Sequence, residues 1–297
     1  MDQKKIFAGL DKQFTALDMA RIVILPVAYD ITSTWIKGAD KGPFAIIAAS
    51  HALEFYDIET DFEVYRSGIH TCETRVIKAP PEEMVRIVER DVTNLISAGK
   101  FIVVLGGEHS VTIGAVKAFA AKTENFSVLQ LDAHADLRDE YEGSKCNHAC
   151  VAARIKEQVD SLTQVGVRSM SIEEKDAVVP EKMFYARDIA GRQEARGERR
   201  ETWVDKVVDQ LSDNVYVTMD LDVFDPSIMP STGTPEPGGL LWYDALTLLS
   251  AVAEKKNVVG FDCVELCPNR ANKAPDFLAA KLVYKFLSYV FKARGKR

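Results

Sequence analysis

The chain has 297 residues and a formal net charge of −7 at pH 7. This negative charge disfavours nucleic acid as a partner and would attract a small cationic substrate. A membrane span needs about 18 consecutive apolar residues, and the sequence contains no such stretch. Residues 1–5 also lack the apolar core of a signal peptide, so we expect a cytoplasmic protein that does not associate with membranes.

The predicted elements alternate along the whole chain between apolar runs and segments of helical periodicity. Strands are predicted at 21–28, 101–105, 127–131, 162–167, 215–219 and 257–262. Helices are predicted at 42–56, 81–97, 111–121, 148–157, 201–211, 243–255 and 274–291. Because the strands are apolar throughout, this order predicts an α/β protein with a three-layer α/β/α architecture and a mostly parallel central sheet. No linker divides the sequence, so we expect one domain over residues 1–297.

The five cysteines are odd in number and thinly spread, which is not typical of a disulfide-bonded scaffold. Cys146 with Cys150 and Cys263 with Cys267 have a close spacing that some zinc sites also use. Cys263, however, lies at the end of a predicted buried strand, where a free thiol packs as a small hydrophobic group. We therefore expect reduced cysteines and no zinc site.

Three short clusters of carboxylate and imidazole groups each follow a predicted strand. They read GGEH at 106–109, DAHAD at 132–136 and DLD at 220–222. Side chains at i, i+2 and i+4 of an extended segment point to the same side, so Asp132, His134 and Asp136 can converge. The carboxyl ends of parallel strands are also where open α/β sheets bind their ligands. The clusters are therefore expected to meet at one edge of the sheet.

Four aspartates and two histidines of these clusters form a candidate set of metal ligands. Such a set suits Mn²⁺ and can hold two divalent ions through shared carboxylates. A single Asp after a strand is often only a helix cap, but capping does not explain three clusters at once. Buried carboxylates are costly unless they are neutralised, which favours bound cations. The predicted metal ligands are His109, Asp132, His134, Asp136, Asp220 and Asp222.

Four longer strings contain or follow these clusters: GGEHS (106–110), DAHADLRDEYEGSKCNHA (132–149), TMDLDVFDPSIMPSTGTPEPGG (218–239) and GFDCVELCP (260–268). In this order and spacing they closely resemble the arginase/agmatinase family of manganese ureohydrolases. The likeness extends from the twenties to the C-terminus. It is greater to the agmatinase branch, because arginases carry Asn and Ser residues for an α-amino acid where this chain reads LRDEYEG at 137–143.

The resemblance implies a role for each predicted ligand. Asp132 and Asp220 would bridge two Mn²⁺ ions. The remaining ligands would complete the two positions, His109 and Asp136 in one, His134 and Asp222 in the other. Such a pair lowers the pKa of water towards neutrality and so provides hydroxide for hydrolysis.

The resemblance also implies catalytic residues outside the metal set. Glu265 would hold the substrate guanidinium, whose paired N–H donors match a carboxylate. Asp136 would relay a proton to the leaving nitrogen, and His148 would shuttle protons to and from solvent. The expected reaction gives urea and a primary amine.

Agmatine, which would yield putrescine, is the first substrate that the sequence suggests. The Gly/Pro-rich segment 231–239 predicts a loop beside the cleft. Its Glu236, or the nearby Glu140 and Glu142, would bind the distal amine of such a small cationic guanidino substrate. The resemblance further implies a homotrimer or homohexamer.

Other readings stay open at this point. Aminopropylagmatine, guanidinobutyrate or arginine would use the same metals with a different far pocket. Arg138, two positions after Asp136, suits an acidic guanidino substrate. Outside enzymes, the chain could be a metal-binding regulatory homologue without turnover. A deacetylase-like site with one zinc is disfavoured by the six ligands.

Overall fold

The computed structural model describes residues 3–190 and 202–295. Within these residues nine strands form one sheet. The strands are β1 (Ile22–Ala28), β2 (Ile69–Thr71), β3 (Arg75–Val76), β4 (Phe101–Gly106), β5 (Phe126–Leu131), β6 (Ser161–Val167), β7 (Met183–Tyr185), β8 (Asn214–Asp220) and β9 (Asn257–Val264).

The same residues contain nine α-helices, with short 3-10 turns between some of the elements. The helices are α1 (Lys12–Thr15), α2 (Gly42–Ser50), α3 (Pro81–Ser97), α4 (Val111–Ala120), α5 (Val151–Lys156), α6 (Ala186–Ala190), α7 (Trp203–Asp209), α8 (Trp242–Lys255) and α9 (Ala274–Arg294). In the described part of the chain, none is both long and apolar enough to cross a membrane.

The sheet is parallel throughout its paired strands. Its order is β2-β1-β4-β9-β8-β5-β6-β7, and β3 also pairs with β1. Long strands such as β1 and β4 are buried along their whole length. Burial on both faces is the reason that these strands are apolar without alternation.

Alternate residues of each strand pack into two separate hydrophobic cores. Ile24 and Val103 belong to the core under α2, α7, α8 and α9, whereas Leu25 and Val104 belong to the core under α3, α4 and α5. Two helical layers therefore enclose the sheet, which confirms the predicted three-layer α/β/α architecture. The expectation of a single domain stays a prediction.

The predicted helices and strands are found, with shifted ends. The helix predicted at 42–56 stops at Ser50, where the chain meets the N-terminal segment. There the Ser50 hydroxyl accepts a hydrogen bond from the Ala8 N–H, and the His51 ring contacts the Ile6 carbonyl. The helix predicted at 148–157 begins with a 3-10 turn. The predicted start of α7, Glu201, lies outside the described residues.

Four neighbouring strands in the middle of the sheet position the predicted site. They follow one another as β4, β9, β8 and β5. Because all four are parallel, their carboxyl ends lie at one edge, and the segments that leave them carry His109, Glu265, Asp220 and Asp132. Residues far apart in sequence are thus brought to one crevice.

Candidate active site

A group of three carboxylates surrounds one imidazole nitrogen at the centre of this crevice. His109 Nδ1 lies 3.1 Å from Asp132 Oδ2, 3.2 Å from Asp220 Oδ2 and 3.3 Å from Asp136 Oδ2. His109 and Asp132 are almost completely buried. Although these oxygens are close, Nδ1 has no hydrogen-bond partner among the described residues. A nitrogen and three oxygens that converge without bonding one another have the arrangement of metal ligands.

The other nitrogen of His109 is held from behind. His109 Nε2 lies 2.9 Å from Thr218 Oγ1, and the Thr218 hydroxyl donates to Asp262 Oδ1 at 2.7 Å. Because the single Thr218 proton is used on this carboxylate, the Thr218 oxygen accepts from Nε2–H of the ring. A neutral His109 therefore carries its proton on Nε2 and directs the Nδ1 lone pair at the carboxylates, as metal-ligating histidines do.

A second group lies beside the first and shares Asp132 with it. His134 Nδ1 is 2.9 Å from Asp222 Oδ2 and 3.7 Å from Asp132 Oδ1. Ligand atoms of His109, Asp132 and Asp220, and those of Asp132, His134 and Asp222, lie close enough to hold one ion each. The structure thus brings together all six residues that the sequence predicted as ligands.

Backbone amides fix the orientation of these carboxylates. Asp132 accepts from the His134 N–H at 2.6 Å, and Asp222 accepts from the Ala133 N–H at 2.9 Å. Asp220 in turn accepts from the Asp222 N–H at 2.9 Å. The acidic side chains are therefore positioned before any ligand arrives.

The site holds more negative charge than its own cations can balance. Burial, together with the neighbouring Asp132 carboxylate, raises the pKa of Asp136 to about 7. Burial lowers the pKa of His134, but the Asp222 and Asp132 carboxylates outweigh this effect and raise it to about 12. Divalent cations would relieve the repulsion and leave His134 neutral for coordination, so the donor set fits a pair of such ions.

Glu265 faces the cavity from the turn after β9. Its side chain is buried, and Oε1 accepts the His109 N–H at 2.7 Å. Burial raises the pKa of this carboxyl well above its ordinary value, and the nearby Glu108 adds to the rise. Glu265 has φ of 66° and Asp136 has φ of 52°, in the left-handed region that such residues seldom adopt. Strained backbone of this kind is concentrated at functional sites.

His148 also lines the cavity, from the start of the 3-10 turn before α5. Burial lowers its pKa to about 4, and the positive charges of His134 and His109 act in the same direction. His148 Nε2 is buried and has no hydrogen-bond partner within the described residues. The ring is therefore neutral near pH 7 and has a nitrogen available for proton transfer.

These side chains surround a cavity of about 260 Å³. Arg138 lines it and stacks over Tyr141, with 4.3 Å between the guanidinium carbon and the ring centroid. The predicted Glu236 carboxylate does not line this cavity, and Glu140 and Glu142 are exposed. The cavity is lined by Thr34, His134, Asp136, Arg138, Tyr141, His148, Ala149, Ser169, Met170, Ser171, Glu174, Asp220, Asp222, Thr234 and Glu265.

Two residues that the sequence did not single out organise the rim. Arg168 donates to the Asp222 carbonyl at 2.6 Å and to the Glu236 carbonyl at 2.7 Å, so it ties the 231–239 loop to a predicted ligand segment. Glu174 is buried and accepts from the Leu137 and Ser171 amides, which braces the segment after Asp136. Glu174 ends a Ser-x-x-Glu capping box that starts at Ser171, a sequence pattern that could have located its bond to the Ser171 amide, whereas its bond to the Leu137 amide has no local signal. Arg168 stands in no recognisable motif, because its partners include backbone carbonyls of distant segments.

Comparisons with known proteins agree with this geometry. The model of the "Arginase family" matches residues 20–288. N(1)-aminopropylagmatine ureohydrolases of Synechocystis sp. and Thermus thermophilus are 36% and 39% identical to the chain. The first alignment covers 98% of both chains, and the second covers 89% of this chain and 88% of the relative.

A solved structure gives the same result. The agmatine ureohydrolase of Thermoplasma volcanium superposes with a TM-score of 0.86 at 31% identity, over 99% of this chain and 96% of that one. The protein belongs to the arginase family of ureohydrolases. This membership confirms the family and the class of enzyme that the sequence predicted.

Proposed function

We propose that this protein is a binuclear manganese hydrolase that cleaves a guanidinium group to urea and a primary amine. The observation that carries the proposal is the convergence of the six predicted ligands, four of which line one cavity together with Glu265. An acidic group that holds a guanidinium beside a two-metal centre is what such a hydrolysis requires.

In this proposal the two ion positions share carboxylates. Asp132 and Asp220 would contribute to both positions, with His109 and Asp136 in one and His134 and Asp222 in the other. The oxygen-rich ligand set with two imidazoles suits Mn²⁺. Bound there, the ions supply Lewis acidity, which lowers the pKa of water and provides a nucleophile near neutral pH.

The chain's own side chains orient the substrate and move protons. Glu265 uses Oε1 for the His109 amide, which leaves Oε2 to accept an N–H of the guanidinium. Asp136, whose Oδ2 lies 3.3 Å from His109 Nδ1, would pass a proton to the departing amine. Neutral His148 accepts or donates a proton at its unpartnered Nε2 and exchanges it with solvent.

N(1)-aminopropylagmatine is the substrate that we place first, ahead of agmatine. Support comes from the two relatives with this activity in their names, which are more similar to the chain than the agmatine ureohydrolase of Thermoplasma volcanium. An extended amine also agrees with a cavity that reaches from Glu265 to Ser169 and Tyr141.

The decisive experiment measures urea release from a panel of guanidino compounds after loading with Mn²⁺. The panel contains N(1)-aminopropylagmatine, agmatine, guanidinobutyrate and arginine. We expect kcat/KM for the first compound to be highest and arginine to be poorest. Absence of urea from every compound, with two Mn²⁺ bound per chain, would instead support a regulatory homologue without turnover.

A guanidino acid such as guanidinobutyrate is the second candidate, because of one observation. Arg138 lines the cavity and forms no ion pair within residues 3–190 and 202–295. An unpaired guanidinium beside the substrate would bind a carboxylate well. Turnover of guanidinobutyrate above that of both amines would establish this alternative.

We also propose that the protein works in the cytoplasm as a homotrimer or homohexamer. Free thiols at all five cysteines support a reducing compartment. Light scattering would test the assembly, and a mass near that of one chain, 33.0 kDa, at working concentration would contradict it.

A further inference from the structure

We propose that Thr32 and Glu108 position the proposed proton shuttle, His148, so that both act on catalysis without contacting the substrate. This inference rests on the function proposed above for His148. It concerns a residue of the GGEHS string that the metal site leaves unused.

Glu108 lies beside the ligand His109 but points away from the metal cluster. It is completely buried, and its Oε2 accepts from the Thr32 amide at 2.9 Å and from the Thr32 hydroxyl at 2.7 Å. Its Oε1 accepts from the Ser110 hydroxyl at 2.8 Å. Both oxygens are therefore occupied by neutral donors, and Thr32 supplies two of them.

The segment that carries Thr32 packs against the turn after β4 that carries Glu108. The Glu108 amide donates to the Tyr29 carbonyl at 2.9 Å. At Gly107 a Cβ would overlap this carbonyl, so only glycine allows the two backbones to approach so closely. Thr32 thus has a defined place relative to the end of β4.

Thr32 then reaches His148. The Thr32 hydroxyl gives its one proton to Glu108, so its oxygen is free to accept, and it receives the His148 N–H at 3.0 Å. This bond joins residues 116 positions apart. Since His148 Nε2 has no partner in the described part of the chain, the ring depends on its backbone for its position.

Two successive hydrogen bonds thus connect a buried carboxylate to the backbone of a proton-transfer residue. Glu108 orients the Thr32 hydroxyl, and the hydroxyl anchors the start of the His148 turn. Small displacements of a catalytic group are expensive, on the order of 100-fold in rate for about 1 Å. Loss of the hydroxyl should therefore lower turnover more than substrate binding.

Thr32→Val is the principal test, because it keeps the shape and removes the hydroxyl. We expect kcat to fall on the order of 10-fold to 100-fold with KM within about twofold. Thr32→Ser should restore kcat. Thr163→Val is the matched control that should keep it, because it removes a buried hydroxyl that has no hydrogen-bond partner within the described residues. If Thr32→Val does not fold, Thr32→Ala makes the same test.

Two further measurements separate positioning from general damage. Amide hydrogen exchange at His148 should be fast in Thr32→Val and slow in the wild type and in Thr32→Ser. In a His148→Asn background, Thr32→Val should cause no additional loss of kcat. Manganese content should remain at two ions per chain in every variant.

The inference is wrong if Thr32→Val keeps wild-type kcat, or if it lowers kcat equally in the His148→Asn background. Failure of the proposed function has a different result, in which the wild type itself releases no urea from the panel. Even then, the exchange of the His148 amide still tests the hydrogen bond.

Discussion

Two buried charged clusters in this molecule differ in how their charge is balanced. On the far side from the site, Lys285 of α9 lies 2.9 Å from Asp57 and 3.0 Å from Glu59, and the Tyr289 hydroxyl donates to Glu59. At the carboxyl ends of the strands, four carboxylates lie beside two imidazoles. Within the described residues, none of the four forms an ion pair with a Lys or an Arg.

The comparison teaches what each cluster is for. In the Lys285 cluster the buried Asp57 is satisfied by an ammonium and by the Thr60 amide and hydroxyl, and Glu59 is partly exposed to solvent, so no bound ion is needed. The acidic cluster at the strand ends is complete only when cations are added. Buried carboxylates that have a cation of the protein beside them indicate a structural role, whereas buried carboxylates without one indicate a binding site for a cation.

The largest expected effect follows from removing Asp132, the carboxylate that the two proposed ion positions share. Asp132→Asn should lose both metal ions and lower kcat/KM by more than about 100-fold, beyond the loss typical of outer partners of metal ligands. His134→Ala should mainly weaken one position. Metal analysis and urea release measure both.

Asp139→Asn is the control for this experiment, because Asp139 is exposed and pairs with Arg154 and Lys145 outside the cluster. Equal metal loss from Asp132→Asn and His134→Ala would contradict the shared role of Asp132.

The second prediction concerns removal of the ammonium from the Lys285 cluster. Lys285→Met should destabilise the fold by about 3–5 kcal/mol, because it leaves Asp57 buried without its ammonium. Lys255→Met, which removes an exposed partner of Asp205, should cost much less, because solvent screens that pair. Urea denaturation measures the free energy of unfolding of both variants. Similar losses would show that the buried ion pair contributes no more to stability than the exposed one.

The pH dependence of stability sharpens the same comparison. Burial raises the pKa of Asp57, but hydrogen bonds from Lys285 and Thr60 outweigh it and leave the pKa below its ordinary value of 3.8. A lowered pKa in the folded state stabilises the protein above the unfolded pKa, and this contribution is lost as pH falls through the folded value.

We therefore expect the wild type to lose stability more steeply than Asp57→Asn below about pH 4. Unfolding free energies at a series of acidic pH values test this. Parallel curves for the two proteins would show that Asp57 titrates alike in the folded and unfolded states.

The smallest effect is expected at Arg138, an unpaired charge in the cavity rather than in the core. If the substrate is an amine, Arg138→Ala should change kcat/KM by no more than about threefold, less than 1 kcal/mol. If the substrate is a guanidino acid, loss of a charged hydrogen bond should cost about 1.5–3 kcal/mol, more than tenfold. Steady-state kinetics with agmatine and guanidinobutyrate distinguish the two cases.

The sequence predicted the centre of the fold and the candidate ligands for a physical reason. Strands buried on both faces have a continuous apolar pattern, and ligands such as Asp132 and His134 are spaced so that an extended segment brings them together. The short strands β2, β3 and β7 were missed because two or three residues show no period.

What the sequence could not show depends on distant partners. Lys285 and Asp57 are 228 positions apart in the sequence. Arg168 donates to backbone carbonyls, and because every residue has such a carbonyl, the sequence cannot identify the partners. The contact of Glu236 with substrate stays a prediction. Its carbonyl is held by Arg168, and Glu236 is not among the residues that line the cavity.

The left-handed backbone at Glu265 has a consequence for the molecule's response to selection. This strained backbone adds to the cost of burying a carboxylate. Glu265→Gln would remove the charge and keep an acceptor for the His109 amide, so it should raise the melting temperature while urea release is lost. A screen that rewards heat resistance alone would therefore favour inactive variants at this position. Heat resistance and turnover must be selected together if this protein is to be evolved for use at high temperature.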